Sequence, residues 1–183
     1  MKTQREKMLA GELYEAWDAE LTAMRANARR LLQLYNGMLA AEREQREGVL
    51  QQLLGLCGTI DIQPPFYCDY GAHILIGENC FMNFNCVILD CALVTIGKNV
   101  QLGPGVQLYA AYHPLDASER IKGPELASPI VIGDNVWIGG GAIVCPGVTI
   151  GSDTTIGAGS VVTRSIPEKV FAAGNPCRVI RAL

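Results

Sequence analysis

Residues 131–162, VIGDNVWIGGGAIVCPGVTIGSDTTIGAGSVV, carry an aliphatic side chain at every sixth position: Ile132, Ile138, Val144, Ile150, Ile156 and Val162, with glycine next in line at 133, 139, 151 and 157. A period of six matches neither the 3.6-residue turn of an α-helix nor the alternation of a simple strand. Self-similarity at a fixed short period marks a solenoid. Three hexads make one triangular coil of a parallel β-helix. The aliphatic residue points into the prism, and Gly, Asn or Asp takes the tight corner. The fourth residue after each aliphatic one (Val136, Ala142, Val148, Thr154, Ser160 and Ile166) is mostly small or β-branched, as a narrow pleated interior requires. An ordinary sandwich with glycine-rich turns would not hold this phase over so many repeats.

The ladder recurs upstream at Ile96, Leu102 and Leu108, and more loosely at Ile76, Met82 and Ile88, so the β-helix is expected to begin near residue 59. Between Ile88 and Ile96 the step lengthens by two residues, which predicts less regular early coils. A larger break separates Leu108 from Ile130. Residues 109–129, YAAYHPLDASERIKGPELASP, are polar and rich in Pro and Gly, and must leave the coil as a loop. Loops of this length in a compact domain are usually functional.

At 183 residues, with 49% hydrophobic and 18% charged residues, the chain can bury one sizeable core with a small appendage. A net charge of −3 argues against a nucleic-acid footprint. No apolar run approaches the length of a membrane span, and the charged N-terminal stretch resembles no signal peptide, so a cytoplasmic location is expected. The seven cysteines (57, 68, 80, 86, 91, 145 and 177) show no CxxC spacing. Several occupy apolar positions of the repeat, which predicts small buried hydrophobes rather than bridges or ligands.

Residues 1–58 follow another pattern. DAELTAMRANARRLLQLYN places Leu21, Met24, Ala28, Leu31, Leu32 and Tyr35 at helical spacing, with Asp18 as N-cap and Asn36-Gly37 as the stop. AAEREQREGVLQQLLGL predicts a second helix that buries Val49, Leu50, Leu53 and Leu54 and ends at Gly58. Two short helices are thus expected to pack on the open first coil, whose strand edges and apolar side chains would otherwise be exposed.

The loop contains His113, one of two histidines in the chain, and imidazole titrates in the range that suits a general base. The other, His73, lies inside a strand-like run. Two histidines cannot supply a three-His zinc site, so no metal is expected.

Several motifs together resemble the maltose and galactoside O-acetyltransferase family, members of the left-handed parallel β-helix acyltransferases. They are EKMLAGELY at 6–14, CDYG at 68–71, FMNFNCVILD at 81–90, HPLD at 113–116, NVWIGG at 135–140 and AAGNPCRVIR at 172–181. The resemblance implies a mainly β fold, with an N-terminal helical cap over 1–58 and a hexapeptide-repeat β-helix over 59–183 that extrudes loop 109–129. It implies a homotrimer whose sites lie between neighbouring coils, with acetyl-CoA as co-substrate and a sugar hydroxyl as acceptor. His113 would be the base, Glu125 would hold its tautomer or accept a sugar hydroxyl, and a backbone N–H at Met82 or Asn83 would meet the oxyanion. Asn83 would also orient acceptor or thioester. Asp18, Arg25, Asp69 and Cys91 would line the acceptor pocket, Cys91 standing where some relatives have a second acid. CoA would meet Gly140, Ala158, Thr163, Arg164, Arg178 and Arg181.

The local charge agrees: residues 160–183 hold Arg164, Lys169, Arg178 and Arg181 against one acid, Glu168, which suits a polyphosphate ligand. Tyr112, beside the histidine, departs from the smaller residue usual in the family. Two other readings stand beside this one: an acetyltransferase for an antibiotic or serine hydroxyl, and a non-catalytic trimeric binding module. The cap motif weighs against the first, and the joint presence of His113, Asn83 and the basic exit against the second.

Overall fold

A computed structural model describes the backbone of residues 1–183 and every side chain apart from that of Cys57. Strands stack in three parallel sheets that form the faces of a prism. The first face carries Leu56–Cys57, Ile74–Ile76, Val94–Ile96, Ile130–Ile132 and Thr149–Ile150. The second carries Ile60–Ile62, Cys80–Met82, Gln101–Leu102, Trp137–Ile138, Thr155–Ile156 and Val170–Ala173, to which Arg178–Ala182 adds as an antiparallel hairpin strand. The third carries Phe66–Cys68, Cys86–Leu89, Gln107–Tyr109, Ile143–Val144 and Val161–Val162. The expected inward rows are all buried, Ile76, Ile96, Ile132 and Ile150 on one face and Ile88, Leu108, Val144 and Val162 on another. Where the second inward row turns polar, the hydroxyls find partners: Thr154 Oγ1 donates to Pro167 O at 2.8 Å and Ser160 Oγ to Gly157 O at 2.6 Å. Cys68, Cys80, Cys86, Cys91 and Cys177 are buried and Cys145 is half-buried, while the Cys57 side chain lies outside the described residues.

The glycines of the repeat have a different reason from the one their spacing suggests. Gly133, Gly139, Gly151 and Gly157 do not adopt the left-handed conformation. A Cβ on Gly139 would stand 2.5 Å from Ala158 N of the next coil, so close approach excludes any side chain there. The residue two positions on takes the left-handed corner instead: Gly105, Gly141 and Gly159 on one edge of the prism and, with φ between 56° and 60°, Asn79, Asn99, Asn135 and Asp153 on another. The side chains of these last four form a ladder across the coils: Asn79 Nδ2 donates to Asn99 Oδ1 at 2.9 Å, Asn99 Nδ2 to Asn135 Oδ1 at 2.8 Å, and Asn135 Nδ2 to Asp153 Oδ1 at 2.8 Å.

The coils change length in a defined way. In the early coils Phe66 pairs with Cys86 and Val87 with Gln107, whereas in the late coils Trp137 pairs with Thr155 and Ile143 with Val161. Each early coil is thus longer than three hexads, and each late coil is three hexads and no more. Val94 pairs with Ile130, a step as long as two late coils. The surplus emerges each time at the corner between the third and first faces, at residues 69–73, 90–93 and 110–129.

Three helices precede the coil rather than two. α1 (Gln4–Leu9) is closed by a capping box between Thr3 and Glu6, and it is too short to show a periodic stripe. α2 (Ala19–Gly37) starts at Asp18 as expected, while α3 (Arg43–Leu53) ends short of Gly58 because the first coil already begins at Leu56. α2 and α3 seal the open edge of the prism by hydrogen bonding as well as by packing. Asn36 donates to Phe66 O and accepts from Phe66 N, both at 2.9 Å, as a neighbouring strand would. Tyr35 Oη and Arg46 Nη2 both donate to Ile62 O. The loop 109–129 leaves as a two-stranded ribbon, Ala111–Tyr112 against Leu126–Ala127, carrying the short α4 (Ala117–Arg120).

Asn99→Ala keeps a Cβ in the left-handed region without the short polar side chain that tolerates it there, and breaks two rungs of the ladder. It should lower the unfolding free energy by about 2 kcal/mol in denaturant titration, with Asn99→Gly recovering part of the loss.

Candidate active site

The corner between the third and first faces gathers Arg25, Asp69, Cys91, His113 and Glu125 from among the residues singled out from the sequence. Asp69 and Tyr70 lie in the first extra turn, Asp90 and Cys91 in the second, and His113 and Glu125 on the ribbon above them. The ribbon pairs Ala111 with Ala127 and Tyr112 with Leu126. Continued by one residue, this register sets His113 across from Glu125. His113 is exposed and makes no hydrogen bond among the described residues. Ser128 Oγ lies 3.4 Å from Tyr112 Oη and ties that ring across the ribbon.

Glu125 is gripped from the cap. Tyr14, 1% exposed, donates its hydroxyl to Glu125 Oε2 at 2.7 Å, and the two backbones exchange N–H···O bonds of 3.1 Å in both directions. Cys91 Sγ donates to Asp69 Oδ2 at 3.4 Å and neighbours the Tyr14 hydroxyl. From α2, Arg25 donates to Tyr70 Oη at 2.7 Å and to Ala16 O at 2.5 Å, and lies 5.7 Å from the exposed Trp17 ring. Arg25, Asp69, Cys91 and Glu125 thus converge from three separate modules. Asp18 is committed to its helix: Oδ1 accepts from Glu20 N at 2.9 Å and from Leu21 N at 3.5 Å.

Asp90, which enters the sequence pattern only as the neighbour of Cys91, organises this corner from below. It is fully buried, with Oδ1 accepting from Asp69 N at 3.0 Å and Tyr70 N at 2.8 Å and Oδ2 accepting from His73 N at 3.3 Å. His73 is structural, with Nδ1 2.9 Å from Asp90 O. Burial pushes the Asp90 carboxyl up to about 6, against the hydrogen bonds from Tyr70 and His73 that lower it. Burial likewise raises Asp69, opposed by the Cys91 thiol, while the nearby Glu125 adds to the rise. The same desolvation raises Tyr14 and Cys91, so both keep their protons near neutrality.

Asn83 does not join this corner. It stands between the second and third faces, together with Gly140 and Ala158. Its backbone N–H donates to Leu102 O at 2.9 Å as part of the coil, and the Met82 side chain is buried in the core. The expectation of a free oxyanion donor on the Asn83 backbone is therefore corrected, because coil pairing has consumed that N–H. What Asn83 does offer is its side-chain amide, oriented by Oδ1 accepting from Phe84 N at 2.8 Å.

Thr163 and Arg164 are exposed at the ribbon's corner, above it along the prism. Arg178 and Arg181 are exposed on the final hairpin strand. Residues three apart on a strand face opposite ways, but the register shifts here: Phe171 pairs with Arg181 and Ala172 with Val179. The bulge at Ile180 brings both arginines to one face. A cavity of about 440 Å³ lies between α3 and the first coil, and none of its lining residues belongs to this corner.

Ionised Asp90 costs stability, because the folded carboxyl holds its proton to about pH 6 while an unfolded one releases it near pH 4. Wild-type stability relative to Asp90→Asn should fall as pH rises from 4 to 7, by up to roughly 3 kcal/mol, in denaturant titrations at the two ends. A difference that did not change with pH would place the titration elsewhere.

Comparison with known proteins agrees with this geometry along the whole chain. The maltose acetyltransferase hexapeptide capping motif matches residues 7–58, the hexapeptide repeat of succinyl-transferase 73–110, and the six-repeat bacterial transferase hexapeptide 129–164. The galactoside O-acetyltransferase of Escherichia coli is 41% identical over 179 residues, covering 97% of this chain and 88% of that protein. The crystal structure of a maltose O-acetyltransferase from Clostridium difficile 630 superposes with a TM-score of 0.98 at 50% identity, covering 100% of this chain and 98% of that one. A hexapeptide-repeat-containing acetyltransferase from Vibrio cholerae O1 biovar eltor, complexed with acetyl-CoA, gives a TM-score of 0.93 at 40% identity, covering 100% and 99%. The chain therefore belongs to the maltose and galactoside O-acetyltransferase family of hexapeptide-repeat acetyltransferases.

Proposed function

We propose that this acetyltransferase moves the acetyl group of acetyl-CoA to a hydroxyl of a sugar, and that His113 is the general base. The observation that carries the reading is the corner itself: an exposed histidine stands across a ribbon from a clamped glutamate, above a pocket of Asp69, Cys91 and Arg25. A sugar hydroxyl both donates and accepts hydrogen bonds, and this pocket offers carboxylate, thiol and guanidinium groups within one site. Glu125 holds the imidazole with its basic nitrogen toward the acceptor. His113 takes the hydroxyl proton as the oxygen attacks the thioester carbonyl. The tetrahedral intermediate collapses, the C–S bond breaks, and the proton passes to the departing thiolate. Asn83 Nδ2 supplies the side-chain donor for the thioester, and Arg178 and Arg181, on one face of the hairpin, meet the phosphates of CoA with Thr163 and Arg164. The helices over 1–58 serve as lid and, through Arg25, as pocket wall. Acetyl-CoA as donor fits a cytoplasmic location.

The same reading requires assembly. Asn83, Gly140 and Ala158 occupy one corner of the prism and His113 another, so one chain cannot bring both sets to one substrate. A closed trimer apposes the Asn83 corner of one copy to the His113 corner of the next. The Vibrio structure with acetyl-CoA and the maltose and galactoside names of the relatives support the donor and the acceptor class.

A panel of sugars, serine and aminoglycosides, with release of CoA thiol as readout, tests the acceptor. His113→Ala should keep its fold and acetyl-CoA binding and lose on the order of 10² to 10⁴ in turnover on the best acceptor. Wild-type turnover in that variant would exclude the mechanism. Light scattering should give the mass of three chains, and a fully active monomer would exclude the shared site.

A further inference from the structure

We infer that Tyr14 is a positioning residue for acetyl transfer, fixing the Glu125 carboxylate, and through it His113, from the N-terminal cap. This rests on the reading of His113 and Glu125 given above and extends it to a residue that contacts neither substrate nor base.

Three contacts between the same two residues leave Glu125 little freedom. The Tyr14 hydroxyl donates to Oε2 at 2.7 Å, and the paired backbone bonds of 3.1 Å make Tyr14 a one-residue third strand on the catalytic ribbon. The order across the ribbon is then Tyr14, Glu125, His113. A second point of the same turn presses on the ribbon base: Gly11 is left-handed at φ 71°, and a Cβ there would lie 3.3 Å from Ala127 O. The cap turn between α1 and α2 thus holds the inner strand of the ribbon at Glu125 and approaches it closely at Ala127.

Packing alone does not account for the hydroxyl. Tyr14 is 1% exposed, and a phenylalanine would fill the same space without a polar atom to satisfy. Burial keeps the phenol protonated well past neutrality, so towards a carboxylate it acts as a donor. The donated bond aims Oε2 and leaves Oε1 as the oxygen free for the imidazole N–H. Fixing a carboxylate that fixes a base matters because small misplacements of reacting groups cost rate steeply.

Tyr14→Phe keeps the ring and removes this bond. Its kcat should fall about tenfold to a hundredfold, with the KM for acetyl-CoA unchanged and the melting temperature within a few degrees of wild type. In a double-mutant cycle, Tyr14→Phe added to Glu125→Ala should cost no further turnover, since both remove one function. Hydrogen exchange provides a readout that needs no activity: amides of 111–127 should exchange faster in Tyr14→Phe while those of the coil do not change. Wild-type kcat in Tyr14→Phe, unchanged exchange over 111–127, or losses that multiply independently with Glu125→Ala would each overturn the assignment. His113→Ala separates the two levels. If that variant retains turnover the acetyl-transfer reading fails, whereas if it is inactive and Tyr14→Phe is fully active only the role of Tyr14 fails.

Discussion

Parallel strands sit about 4.8 Å apart, and everything distinctive in this molecule follows from stacking coils at that spacing. The rungs admit no side chain where the coils approach most closely, as the 2.5 Å from a notional Cβ of Gly139 to Ala158 N makes plain. A coil of three hexads therefore has no slack, and any insertion must leave at a corner. Here the insertions leave at a single corner in three successive coils. Stacking carries them above one another as faithfully as it stacks the core isoleucines, so register alone brings Asp69, Cys91, Glu125 and His113 into one neighbourhood from distant points of the sequence. The solenoid builds its site with the same hydrogen bonds that hold it together.

That corner concentrates carboxyl groups, and its electrostatics depend on donors more than on cations. Asp90 is buried on three backbone N–H groups, and its fixed oxygens in turn fix the turn bearing Asp69 and Tyr70. Arg25 partners Tyr70, Ala16 O and Thr22 rather than a carboxylate. Burial raises Asp69, Asp90, Tyr14 and Cys91 together. Thiol and phenol here keep their protons and donate them in hydrogen bonds to the carboxyl oxygens of Asp69 and Glu125.

Much of this is legible in the sequence. The six-residue period identifies the coils because each inward position faces the same environment, and the break at 109–129 identifies the loop because polar, Pro-rich chain cannot continue a rung. The two-residue slip before Ile96 is legible as well, although its consequence is not: it opens the turn that holds Asp90 and Cys91. Other features stay hidden because periodicity reports which face a residue occupies and nothing about contacts between coils. Tyr14 reads as one apolar residue in a cap motif until its hydroxyl meets Glu125, 111 positions away. The bulge at Ile180 inverts the rule that would send Arg178 and Arg181 to opposite faces. Asn83 is legible as a corner residue, but whether its N–H is free depends on the pairing with Leu102.

The cap has two attachments that use different residues, and this division clarifies what it contributes. Its sealing role runs through Leu31, Leu32, Tyr35, Asn36 and Arg46, which cover the first coil and satisfy Ile62 and Phe66. Its contacts with the site run through Tyr14 before α2 and Arg25 in the second turn of α2. α2 is long enough to serve both, its C-terminal half lying on the prism end while its N-terminal turns reach the ribbon corner. A lid made of any well-packed helix pair would satisfy the open edge, but it would leave Glu125 and Tyr70 without the partners that orient them. The cap motif is thus held to one geometry by two separate demands, and α2 is the rigid element that links the sealed edge to the ribbon corner.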